Sequence, residues 1–91
     1  MAELITVQDT TTTVFPQDSI FTLKEIYSLL NCNMVQIVSL NDGRIMWLDE
    51  EGKLKPHFSN ATATQLLHES GGMDDDYVAG DVLITSQDEV Q

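Results

Sequence analysis

Apolar residues in this chain fall into several short runs and one clear helical stripe. Leu23, Ile26, Tyr27 and Leu30 recur at the i, i+3, i+4, i+7 spacing of a single buried face. Just ahead of the stripe, Thr22 and Glu25 stand at capping-box spacing, where each side chain satisfies the other residue's free backbone N–H. Phe21 and Ile26 hold the two positions of a hydrophobic staple. Asn31 or Asn33 can take the left-handed conformation that ends the run, so the pattern predicts a helix over 23–31. A weaker stripe begins after Ser59 or Asn60 as cap. Ala61, Ala63, Gln65, Leu66 and Leu67 run up to Gly71-Gly72 and predict a second helix over 61–70.

The other apolar runs are too short for helices and are rich in β-branched residues, which marks them as strands. They predict strands over 3–7, 34–40, 44–49 and 80–85. Asn41-Asp42-Gly43-Arg44 joins the middle two as a tight hairpin, with Asp42 and Gly43 supplying two positive-φ positions. Thr10 to Thr13 extend the first strand or form a polar edge. Val14-Phe15 before Pro16 begins a second extended piece, so a hairpin near the start is expected. Leu54-Lys55 is expected to continue the sheet as one more short strand before Pro56, Gly80 to form a bulge, and 86–91 to be a flexible tail. The chain is thus expected to be one α+β domain over 1–91 with its ordered core over 3–85. Its architecture is a small, mostly antiparallel sheet with two helices packed on one face.

Composition changes this picture through charge. Four Lys and Arg against fifteen Asp and Glu leave a net charge of −11, which repels phosphate backbones and anionic lipid, so direct binding of nucleic acid is disfavoured. No run approaches the roughly 20 apolar residues of a membrane helix. The first residues lack a basic, apolar leader, so neither membrane insertion nor export is expected. The single cysteine, Cys32, excludes an internal disulfide framework and fits a reducing compartment, with the cytoplasm as the expected location. Beyond Lys55 there is no Lys or Arg, while Glu69, Asp74, Asp75, Asp76, Asp81, Asp88 and Glu89 all carry negative charge. That end is electronegative, either for solubility alone or as a docking surface for a basic partner.

No residue set announces catalysis. His57, His68 and Cys32 lack zinc-site spacing, and Cys32 has no basic neighbour in sequence to stabilise a thiolate. Asp74, Asp75, Asp76 and Asp81 have the charge of a hard-cation site without the alternating ligands of a calcium loop. Gly71-Gly72 and Gly80 are not followed by the lysine of a phosphate loop. Trp47 sits at strand spacing from Ile45 and is read as a core or sheet-face aromatic. No cofactor, metal or enzymatic activity is expected.

The helix, the segment Trp47-Leu48-Asp49-Glu50-Glu51-Gly52-Lys53-Leu54, the Asn60-x-x-Ala63-Thr64 stretch and the closing Val78-Ala79-Gly80-Asp81-Val82-Leu83-Ile84 together resemble a family of small uncharacterised proteins of bacteria, phages and plasmids. The resemblance covers about residues 20–85, departing at Asn33, where glycine is usual, and at Gln36, where an acidic residue is common. It implies a cytoplasmic accessory protein of mobile-element origin. It also implies shared roles for Gly52 in backbone conformation, Leu54 in the core and Asn60 as a cap, with Glu51, Lys53 and Thr64 as contacts.

Two functions follow as expectations. The first is a non-enzymatic acidic protein that occupies a basic site on a protein partner through Asp74, Asp75, Asp76 and Asp81, as an inhibitor or nucleic-acid mimic. The second is a homo-oligomeric small-ligand module with a pocket between subunits, contacted by Arg44, Trp47, Glu51, Lys53, Lys55 and Thr64.

Overall fold

Val82, Leu83, Ile84 and Thr85 are all buried. Successive side chains of a strand point to opposite faces, so a run buried at every position needs cover on both sides. The computed structural model, which describes residues 2–55, 57–72 and 76–90, provides that cover. Strands β1 (Ala2–Ile5), β2 (Thr11–Val14), β3 (Val35–Ser39), β4 (Ile45–Asp49) and β5 (Val82–Thr85) form one antiparallel sheet in the order β2-β1-β5-β4-β3. Helices α1 (Leu23–Leu30) and α2 (Ala61–Glu69) complete the α+β fold.

The register sorts the side chains. Leu4 faces Leu83, and Leu83 faces Trp47, so these share a face with Ala2 and pack with Phe21, Ile26 and Leu30 around α1. Ile5 faces Val82 and Met46 faces Ile84, and these share the other face with Ala63, Leu66 and Leu67 of α2. The two helices therefore cover opposite faces, not the one face expected from the sequence. A side chain buried on either face contributes roughly 1.5–3 kcal/mol, so the two-sided arrangement uses both halves of β5.

Local chemistry makes each element. Thr22 Oγ1 accepts the Glu25 N–H at 3.2 Å while Glu25 Oε1 accepts the Thr22 N–H at 3.1 Å, completing the capping box. Asn31, at φ 53°, ends α1 in the left-handed conformation. The β3–β4 connection differs from the expected two-residue turn. Leu40 N–H donates to Arg44 O and Gly43 N–H donates to Leu40 O, and of the turn residues only Gly43 has positive φ, so the loop has three residues with the glycine in the left-handed place. The N-terminal hairpin is present, with Asp9 at φ 64° in its turn.

Three other segments depart from expectation. Residues Gly52–Leu54 form a turn of 3-10 helix instead of leading into a strand, and Leu54 is 85% exposed rather than in the core. Gly80, at φ +90°, lies outside β5 beside the isolated bridge of Ser59 with Ala79, and so is not a bulge within it. Beyond β5 the chain is tied down as far as Val90. Ser86 and Glu89 cap a 3-10 turn, Phe21 N–H donates to Glu89 O at 2.7 Å, and Phe21 bridges Val90.

Candidate functional site

Ile45 to Leu48 alternate between the two cores, and the strand ends on a carboxylate, Asp49, that is 4% exposed. A buried charge needs partners. Asp49 Oδ1 accepts the Glu51 N–H at 2.9 Å, and Oδ2 accepts Lys55 Nζ at 2.9 Å and His57 Nε2 at 3.3 Å. A carboxylate can only accept, so Nε2 carries the His57 proton in this pair. Burial pushes the Asp49 carboxyl up, but the hydrogen bonds from Lys55, the Glu51 N–H and His57 outweigh it and hold the group below the usual carboxylate range. The same bond to Asp49 raises Lys55. Burial, then the Asp49 charge, pushes the Cys32 thiol up, which keeps it protonated rather than nucleophilic.

The His57 ring also packs close to Gly80, whose positive φ already favours glycine. A Cβ at Gly80 would meet the imidazole at 3.3 Å, and one at Gly52 would meet the Ala79 carbonyl oxygen at 2.7 Å. Gly52 is thus required by close approach of two backbones, not by an unusual φ. Asn60, fully buried, binds the next layer. Its amide nitrogen donates to Ile5 O and Gly80 O, both at 3.0 Å, and its oxygen accepts the Ala63 N–H at 3.1 Å. Thr64 Oγ1 accepts the Val78 N–H at 2.9 Å. The segment from Asp49 to Thr64 and the segment from Asp76 to Asp81 are therefore locked together by Gly52, Asn60, Thr64 and Gly80.

One opening borders this lock and a second lies away from it, beside α1. A cleft of about 270 Å³ is lined by Val7, Leu30, Asn31, His57, Gly80 and Asp81, below the roughly 300–1,000 Å³ usual for small-molecule pockets. A more open groove of about 720 Å³ runs between the end of β2, the loop after it and α1, with Phe15, Asp18, Lys24 and Leu29 among its walls. Among the described residues, no group of three or more His, Cys, Asp or Glu side chains is placed to hold a metal ion. No helix among the described residues is long and apolar enough to cross a membrane.

The residues singled out from sequence have definite places. Asp76 pairs with Lys53, whose ammonium lies 4.7 Å from the centre of the Tyr77 ring. Asp81 Oδ1 accepts the Val7 N–H at 3.1 Å, while Asp74 and Asp75 lie outside the described residues. Arg44 bridges Glu3 at 3.1 Å and Asp42 at 2.8 Å. Trp47 is core, its Nε1 donating to Thr85 Oγ1 at 2.9 Å, and Glu51 contributes its backbone N–H to Asp49. Asp49 and His57 were not among the expected contacts. The one signal for Asp49 was a carboxylate closing an otherwise apolar strand.

Compared with known proteins, the chain matches over residues 2–91 the family model of a domain of unknown function, DUF3846. No curated protein and no solved structure matches it.

Proposed function

The chain belongs to this DUF3846 family, and with that as premise we propose that it is a non-enzymatic acidic binding protein that occupies a basic site on a protein partner, as a nucleic-acid mimic or inhibitor. The observation that carries this reading is where the cations go. Among the described residues, Arg44, Lys53 and Lys55 each pair with carboxylates of the chain itself, and Lys24 is the one Lys or Arg without an ion pair. Asp9, Asp18, Glu50, Glu69 and Asp88 remain exposed with no lysine or arginine paired to them. A basic surface approaching the chain meets these carboxylates with little opposing positive charge, the condition for steered association. The resemblance to phage and plasmid proteins supports a mobile-element accessory role, and the lone Cys32 supports a reducing, cytoplasmic setting.

The test is displacement. Purified nucleic-acid-binding proteins, each preloaded with a fluorescent DNA duplex, are titrated with the chain. The expected result is release of DNA from at least one of them, with apparent affinity falling at least about tenfold between about 50 and about 200 mM NaCl. It should also fall on combined Asp74→Lys, Asp75→Lys, Glu50→Lys substitution. No displacement from any of them, or displacement indifferent to salt and charge reversal, refutes the reading.

A second reading, a homo-oligomeric module that sequesters a small ligand, draws on the groove of about 720 Å³, whose walls hold none of Arg44, Trp47, Glu51, Lys53, Lys55 and Thr64. A native mass spectrum of the untagged protein separates the two, since a small mass retained on an oligomer favours sequestration and a bound basic protein favours docking.

A further inference from the structure

The sheet ends in two edge strands, β2 and β3, and each leaves a row of backbone groups open. On β3 the ladder fixes which groups these are. Leu40 N–H donates to Arg44 O at 2.9 Å and Glu50 N–H donates to Met34 O at 3.1 Å. Alternate residues Met34, Gln36, Val38 and Leu40 therefore turn their backbone toward β4, and Val35, Ile37 and Ser39 turn theirs outward. The usual guards of an edge are absent, since β3 contains no lysine, no proline and no charge of either sign. Ile37, at the centre of the row, is 56% exposed. From Ile26 to Asn41 the sequence carries no Asp, Glu, Lys, Arg or His, the longest such stretch in a chain of net charge −11.

We infer that β3 pairs antiparallel with β3 of a second copy of this chain, about a two-fold axis at Ile37, joining two sheets into one. The edge is complementary to itself. Ile37 faces Ile37, Val35 faces Ser39, and the outward N–H and C=O groups form about six hydrogen bonds across the seam. Two chains at −11 repel each other over most of their surfaces. The uncharged edge is where they approach against least opposition, and it gives a basic partner no carboxylate to meet. The surface is thus separate from the one proposed for docking.

Sedimentation equilibrium of the full chain tests this. A monomer–dimer equilibrium is expected between about 5 and about 500 µM, and the dimer should tighten at least about threefold from about 50 to about 500 mM NaCl, because salt screens the repulsion. This is opposite in sign to docking on a basic partner, so either reading can fail alone. Ile37→Lys puts charge on the seam, and Ile37→Pro removes an N–H that the ladder to β4 does not use. Each should raise the dissociation constant at least about tenfold with the circular dichroism spectrum retained. Thr13→Pro on β2 should leave the dimer intact. A chain that stays monomeric at about 500 µM in high salt overturns the inference, including the case in which β3 accepts a strand of another protein. A dimer that survives both Ile37 variants, weakens with salt, or is lost on Thr13→Pro overturns it too.

Discussion

Under α1 the sheet is sealed by large apolar side chains, Phe21, Ile26, Leu30, Trp47 and Leu83, and the helix starts through neighbours in sequence, Thr22 and Glu25. Under α2 the helix contributes only Ala63 as a fully buried side chain, with Leu66 and Leu67 half-buried beside it. There the joint is polar and long-range, with Asn60 reaching Ile5 and Gly80, and Thr64 reaching Val78. Apolar packing loses stability in proportion to the volume removed, whereas a buried carbonyl stripped of its donor loses the whole bond and gains nothing back from water. The α1 face should therefore respond gradually to substitution, and the α2 face abruptly.

The largest expected effect is on the polar side. Asn60→Ala leaves Ile5 O, Gly80 O and the Ala63 N–H without their partner and should cost about 4 kcal/mol in urea unfolding. Asn60→Asp is the sharper version. It preserves the cap but turns a carboxylate oxygen toward the Ile5 and Gly80 carbonyls, so a loss near zero would reduce Asn60 to a capping residue and break the comparison, while a loss of at least the alanine size shows that this position needs a donor. Ile26→Ala, on the apolar side, should cost about 3 kcal/mol, with Ile26→Val losing only about 1. Gly52→Ala, which drives a methyl toward Ala79 O, should cost about 2 kcal/mol by thermal or urea unfolding. Thr22→Ala removes one half of the capping box and should cost about 1 kcal/mol.

The smallest effect is expected in the pH profile. The folded-state pKa of Asp49 lies below the ordinary value of 3.8. Its stabilising contribution is therefore complete above that value and is lost as pH falls through the lower folded-state pKa. Urea midpoints taken downward from neutral pH should fall more steeply for the natural chain than for Asp49→Asn. Parallel profiles would mean that the network with Lys55 and His57 does not favour the charged form.

The same contrast decides what could be seen in the sequence. Helix α1 was legible because its cap, staple and stripe lie within ten consecutive residues, Phe21 to Leu30. The β3–β4 hairpin was legible because Asp42-Gly43 stands between two apolar runs, although three residues turn the chain instead of two. The face taken by α2 was not, because the alternation along β5 is apolar on both sides and either face satisfies it. Asn60 reads in sequence as a cap and is one, but its two other bonds join residues 55 and 20 positions away, which no local pattern encodes. Leu54 shows the opposite failure, an apolar residue at strand spacing that a 3-10 turn carries out to solvent. At the site, Lys53, Lys55 and Thr64 were expected as ligand contacts, while Asp49, the carboxylate that gathers Lys55 and His57, was marked in sequence only by closing an apolar strand.

The order β2-β1-β5-β4-β3 has a consequence in time. Among the described residues, strand β5 alone bonds to both hairpins, pairing β1 on one side and β4 on the other. A growing chain that has reached α2 holds two hairpins with no ladder between them. Residues Val82–Thr85, made after both hairpins, close the sheet and complete both cores, so folding waits for β5 and must outrun association of the unfinished halves.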